Sequence, residues 1–132
     1  MSRGETDTVE GEQQDVFVVA QLTRGTPLES IVGTDLVDLA PHKESSMHRH
    51  NNAETVLYFT AGRGEVLLTD DVDAPVRSVA VEQGTRLRVG KGQFHAVRTG
   101  DEAVQFISVQ SPPILDKSTG VRDLESIDTV NS

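Results

Sequence analysis

From Asp15 onward the chain is a succession of short apolar runs, each closed by Gly, Asp or Pro, and none is long enough for an ordinary helix. The runs are Val16 to Leu22, Leu36 to Ala40, Thr55 to Thr60, Glu65 to Thr69, Val76 to Val81, Arg86 to Val89, Ala96 to Arg98 and Val104 to Gln110. Branching at Cβ in Val, Ile and Thr crowds a helical turn and suits a pleated sheet. Period-two alternation is visible where Val104, Phe106 and Ser108 interleave with Gln105, Ile107 and Val109, and again in Arg86 to Val89. Gly62-Arg63-Gly64 and the stretch from Thr69 to Pro75 supply the clearest turns. Many short strands with turn signals about every ten residues predict an all-β domain, a sandwich or an antiparallel barrel.

At 132 residues the chain makes one domain with a real core. Its borders follow composition. Residues 1 to 14 are polar and acidic, a loose tail; 15 to 112 hold the strands; 113 to 132, beyond Pro112-Pro113, form an extension with one short helical turn expected between Arg122 and Ile127. Twelve Lys and Arg against 21 Asp and Glu leave a net charge of -9, which repels phosphate backbones and anionic membranes, so neither nucleic acid nor a membrane is an expected partner. The segment from Met1 to Gln14 has no apolar run that could serve as a signal or a span, and cytoplasmic residence is the expectation. With no cysteine, any metal must be held by nitrogen and oxygen.

Three of the four histidines carry the chemistry: His48 and His50, with Glu54 shortly after, and His95 beyond Gly84 and Gly92. Residues two apart on a strand share a face, so His48 and His50 project into one space. Glu54 can join them if the chain turns over Asn51 and Asn52. His95 follows a glycine-bounded strand and can complete the site from a distance. Three imidazoles and a carboxylate would leave one or two positions open on an octahedral ion.

On these residues the chain resembles the cupin superfamily. His48, His50, Glu54 and Gly62 meet its first motif, and Gly84, Gly92 and His95 its second; the strand pattern extends the likeness from about Val16 to Gln110. Three departures affect turns only: His42 and Gly90 replace a Gly and a Pro, and Thr99 replaces an Asn. A fourth concerns a ligand, because Glu54 lies one residue further from Gly62 than the family motif allows. Anchoring on Gly62 puts Thr55 in the carboxylate's place, whereas a β-bulge would absorb the extra residue and keep Glu54 inward. The resemblance implies an antiparallel jelly-roll β-barrel, with His48, His50, Glu54 and His95 as metal ligands and a three-histidine site as the variant. It also implies one divalent transition metal ion (Fe, Mn, Zn, Ni or Cu) and a homodimer.

Two functional classes follow. The first is an enzyme acting on a small oxygen-bearing organic substrate at a mononuclear metal, by dioxygenase or by isomerase or lyase chemistry. The second is a non-catalytic cupin that binds or senses a small ligand. Tyr58 is the one catalytic candidate besides the ligands. Phe94, Tyr58 and Phe106 read as core or pocket wall, His42 as a surface imidazole, and Arg86, Arg88 and Arg98 as solvated strand faces unless one turns inward to clamp a carboxylate. The interior is expected to draw on Val56 or Leu57, Leu87 or Val89, and Phe106 or Ile107.

Overall fold

The computed structural model describes residues 3–115 and 121–127. These form eleven strands: β1 (Glu12–Gln14), β2 (Phe17–Gln21), β3 (Gly33–Leu39), β4 (His48–Arg49), β5 (Glu54–Ala61), β6 (Arg63–Thr69), β7 (Arg77–Glu82), β8 (Arg86–Val89), β9 (Phe94–Thr99), β10 (Val104–Ser111) and β11 (Glu125–Ser126). They make two sheets, one in the order β1-β2-β3-β10-β5-β8 and the other β11-β4-β9-β6-β7. Every pairing between them is antiparallel.

Alternation decides what lies between the sheets. Val37 and Leu39 on β3, Thr55, Leu57 and Phe59 on β5, and Val104, Phe106 and Ser108 on β10 are buried on one parity. From the other sheet come Val66 and Leu68 on β6 and His95 and Val97 on β9. Phe59 and Phe106 touch at 5.0 Å between ring centroids, and Phe17 meets Phe106 edge-on at 6.2 Å. Each such side chain contributes roughly 1.5–3 kcal/mol when fully removed from water. Leu57 and Phe106 are therefore the inward members of their pairs, with Val56 and Ile107 on the outer face, whereas Leu87 and Val89 share one parity and both turn inward.

The β5–β6 corner depends on Gly62. Its φ of +81° is a left-handed conformation, and a Cβ there would overlap the Ala103 carbonyl. Just before it the register of β5 on β10 slips: Phe106 faces Phe59 but Gln105 faces Ala61, which leaves Thr60 as a bulge. Thr60 Oγ1 secures the bulge by donating to the Gln105 side chain at 2.8 Å.

Two expectations at the ends are corrected. Glu12–Gln14, expected within the loose tail 1–14, form a strand paired with β2. The expected turn of helix over Arg122 to Ile127 is mostly extended: Glu125–Ser126 add to β4, and the Ile127 N–H donates to Met47 O at 2.9 Å. Backbone donors left open at the edge of β4 outweigh weak local helix preference there. The rest of the 113–132 extension lies partly outside the described residues. Among the described residues no helix is long and apolar enough to cross a membrane.

Candidate metal centre

β4 and β9 lie side by side with His48 opposite His95, so the two rings project from adjacent strands into the interior. His50 follows two residues after His48, on the same parity. The ring centroids are 4.3 Å apart for His48 and His95, and 5.1 Å for His50 to each of the others. Their ligating nitrogens all fall within 4.8 Å of one another. One ion with bonds of roughly 2.0–2.1 Å would draw the three rings closer together.

The tautomers are fixed by the backbone. His48 Nδ1 lies 3.1 Å from Ser46 O, His50 Nδ1 2.6 Å from Asp123 O, and His95 Nδ1 3.3 Å from Gln93 O. A carbonyl only accepts, so each Nδ1 carries the proton and each Nε2 keeps its lone pair. Orienting ligand imidazoles through the remote nitrogen is the usual outer support of a metal site. Burial, followed by mutual repulsion, disfavours the protonated forms: His48 is pushed down to about 4, His95 well below its ordinary value, and His50 downward chiefly by burial. Three neutral imidazoles at neutral pH are the state that binds a cation.

Both ends of the chain hold the His48–His50 segment. Asp15 accepts from Ser46 N at 2.8 Å and Ser46 Oγ at 3.0 Å, which pins the residue whose carbonyl orients His48. Asp123 accepts from the N–H groups of Asn51 and Asn52 at 2.7 and 2.9 Å while its own carbonyl receives His50. Arg49 reinforces this strap through Glu125 at 2.7 Å, with its guanidinium over the Phe94 ring at 4.7 Å. Neither Asp15 nor Asp123 was singled out from sequence, because an isolated Asp in a polar stretch carries no local signal.

Glu54 is not among the converging groups. It sits on the outer face of β5, where its carboxylate meets Arg88 at 3.1 Å, and that guanidinium holds its carboxyl below the ordinary range. Thr55 takes the inward position instead, 2% exposed, and its Oγ1 has no hydrogen-bond partner. The expected Glu54 ligand is corrected on this point: the parity of β5 is set by Leu57 and Phe59 in the core, and the Thr60 bulge lies too far along to reverse it. Tyr58 is likewise outward and 46% exposed, remote from the interior it was expected to serve. His42 is on the surface near Asp101 at 3.4 Å. Arg98 faces out, paired with Glu65 and Glu44 at 3.0 and 3.5 Å, so neither it nor Arg88 clamps anything inside.

The three rings open on a cavity of about 610 Å³ between the sheets. Its walls are largely apolar, from Phe17, Val19, Val37, Leu57, Val97 and Phe106. The donor set fits a borderline divalent cation, and the orphaned Thr55 hydroxyl beside the cavity is the kind of buried polar group that a bound molecule satisfies.

Among solved structures, the chain matches Lactobacillus farciminis oxalate decarboxylase in its formate complex with a TM-score of 0.73 and 17% identity, over 94% of this chain and 36% of that one. The chain has the cupin fold. A variant of Bacillus subtilis oxalate decarboxylase matches at TM-score 0.70 and 18% identity, over 89% of this chain and 29% of that one. CapF bound to the inhibitor 3-isopropenyl-tropolone matches at 0.74 and 12% identity, over 92% and 34%. The cupin domain described here thus spans about a third of the length of these proteins. No family model and no curated protein matches the sequence.

Proposed function

We propose that this cupin is a metal-dependent enzyme that takes a small oxygen-bearing organic substrate into its cavity at one divalent transition ion held by His48, His50 and His95. The observation that carries the reading is the shared orientation of the three rings, each with Nδ1 on a backbone carbonyl and Nε2 left free. A bound ion would act there as a Lewis acid or as a centre for oxygen chemistry, the isomerase or lyase and dioxygenase alternatives. The chain's own part is to orient the rings, keep them neutral and exclude water with an apolar wall. Thr55 in place of a carboxylate leaves the ligand set uncharged, which favours an anionic or chelating substrate group as the next donor. Of the candidate ions iron, manganese, zinc, nickel and copper, manganese is the one with a parallel in a structural neighbour, Bacillus subtilis oxalate decarboxylase, which has Mn(II) centres.

Elemental analysis of protein purified without chelator or nickel resin tests this reading. About one transition ion per chain is expected, lost on His50→Ala or His95→Ala while the β-sheet circular dichroism stays. Full metal occupancy in either variant would remove the site. Oxygen uptake with candidate substrates then separates dioxygenase from isomerase or lyase chemistry, and tight binding without turnover would favour a sensor. A homodimer is part of the same proposal. It is supported by apolar side chains on the outer face of the larger sheet, where Val56, Tyr58 and Val109 are 38%, 46% and 38% exposed.

A further inference from the structure

Inward positions of the larger sheet change character along the strands. Near one end the cross-strand row reads Val19, Val37, Phe106, Phe59; one step along, it reads Gln21, Asp35, Ser108, Leu57, and the next holds Gly33, Gln110 and Thr55. Asp35, Ser108, Gln110 and Thr55 all line the cavity that also receives the three histidines, which come from the opposite sheet. Polar groups on a buried sheet face are costly unless bonded, so such a row calls for an explanation.

Its internal bonds leave acceptors free. Gln110, 3% exposed, spends its amide N–H groups on Asp35 Oδ2 at 3.0 Å and Ser108 Oγ at 2.6 Å. The amide is seated by Gly33, where a Cβ would strike Gln110 Oε1. Gln110 therefore orients Asp35 without neutralising it. Among the described residues the second carboxylate oxygen of Asp35 has no hydrogen-bond donor, and no cation lies within ion-pair distance. Arg122, which lines the same cavity, acts on it only through space. Burial pushes this carboxyl above its ordinary value, with Gln110 and Arg122 pulling it back.

We infer that Asp35, held by Gln110, is a specificity subsite that receives a hydrogen-bond-donating group, hydroxyl or ammonium, of a small apolar-bodied substrate bound in the cavity. The inference rests on reading the cavity as the substrate chamber. An acceptor-only carboxylate aimed into an apolar space rewards a donor and repels a second carboxylate. Phe17, Val19, Leu57 and Phe106, which line the same cavity, suit the apolar body.

The test uses the metal-free protein and three probes with one body: benzylamine, benzyl alcohol and benzoate, with binding followed by NMR. Benzylamine and benzyl alcohol are expected to bind and to shift the Gln110 side-chain amide, with benzoate weaker by roughly tenfold, the worth of one hydrogen bond to a charged group. Asp35→Asn should cut benzylamine binding by about the same factor. Asp38→Asn is the control, because this exposed residue on the outer face of β3 changes net charge equally and should move affinity less than about twofold. Benzoate binding as well as benzylamine, no probe binding at all, or equal effects of the two substitutions would each overturn the subsite. Cobalt(II) binding, read separately from its visible spectrum, reports on the histidine site alone, so failure of the metal reading is distinguishable from failure of the subsite.

Discussion

Glu54 rests on Arg88 across the outer face of β5 and β8, its Oε1 3.1 Å from Nη2, while its neighbour Thr55 points into the barrel with an unpartnered hydroxyl. One peptide bond separates a carboxylate in solvent from the position where it would face the histidines. Glu54→Gln should therefore leave metal affinity within about twofold, since exposed pairs add little. Thr55→Glu should raise it by about tenfold or more by adding an anionic ligand to three neutral ones. Isothermal titration with manganese or cobalt checks both, and weaker binding in Thr55→Glu would show that position 55 does not address the ion.

Asp123 offers a second prediction. Its carboxylate holds the N–H groups of Asn51 and Asn52, and its carbonyl receives His50. Asp123→Ala keeps the carbonyl but frees the loop that carries it, and metal affinity should fall by about ten- to a hundredfold, the usual effect of losing an outer support. Asp123→Asn, which keeps one acceptor oxygen, should recover part of it. Unchanged affinity in Asp123→Ala would make the strap a structural feature only.

The pH dependence of the metal-free protein follows from the same rings. An unfolded histidine takes up a proton near about 6.5, but folded His48 does so only near about 4, with His50 and His95 shifted the same way. Between those values the unfolded state binds more protons, so stability present above about pH 6.5 is lost as pH falls toward 4. For His48 alone the loss is on the order of 3 kcal/mol. Thermal melts at pH 7.5 and 4.5 should show it, and a His48→Asn variant should show less. Metal affinity should also persist below pH 6.5, because protons compete poorly for buried rings. A midpoint for metal release at the ordinary imidazole value would contradict the burial argument.

Self-association can be read from mass in solution. The outer face that bears Val56, Tyr58 and Val109 should be covered by a second copy, giving a dimer by light scattering at micromolar concentration. Tyr58→Glu should shift the mass to the monomer without changing the melt of the barrel. A natural protein that is already monomeric would sink the dimer.

The strands and the histidines were legible in the chain because both depend on local regularities. Alternation over Val104 to Gln110 and the glycine at 62 announce a folded-over sheet, and a spacing of two puts His48 and His50 on one face whatever surrounds them. Glu54 was misjudged because its side is set by the burial of Leu57 and Phe59 along β5 and not by its distance from His50. Part of the expected tail was likewise lost to β1, and the expected helical turn near Arg122 to β11, because pairing partners distant in sequence satisfy backbone groups that local propensity cannot count. Asp15, Asp123, Asp35 and Gln110 gave no signal at all. They become a clamp and a cavity wall only when strands far apart in the chain lie side by side, since hydrogen bonds that orient a ring or a carboxylate depend on positions in space that no run of neighbouring residues encodes.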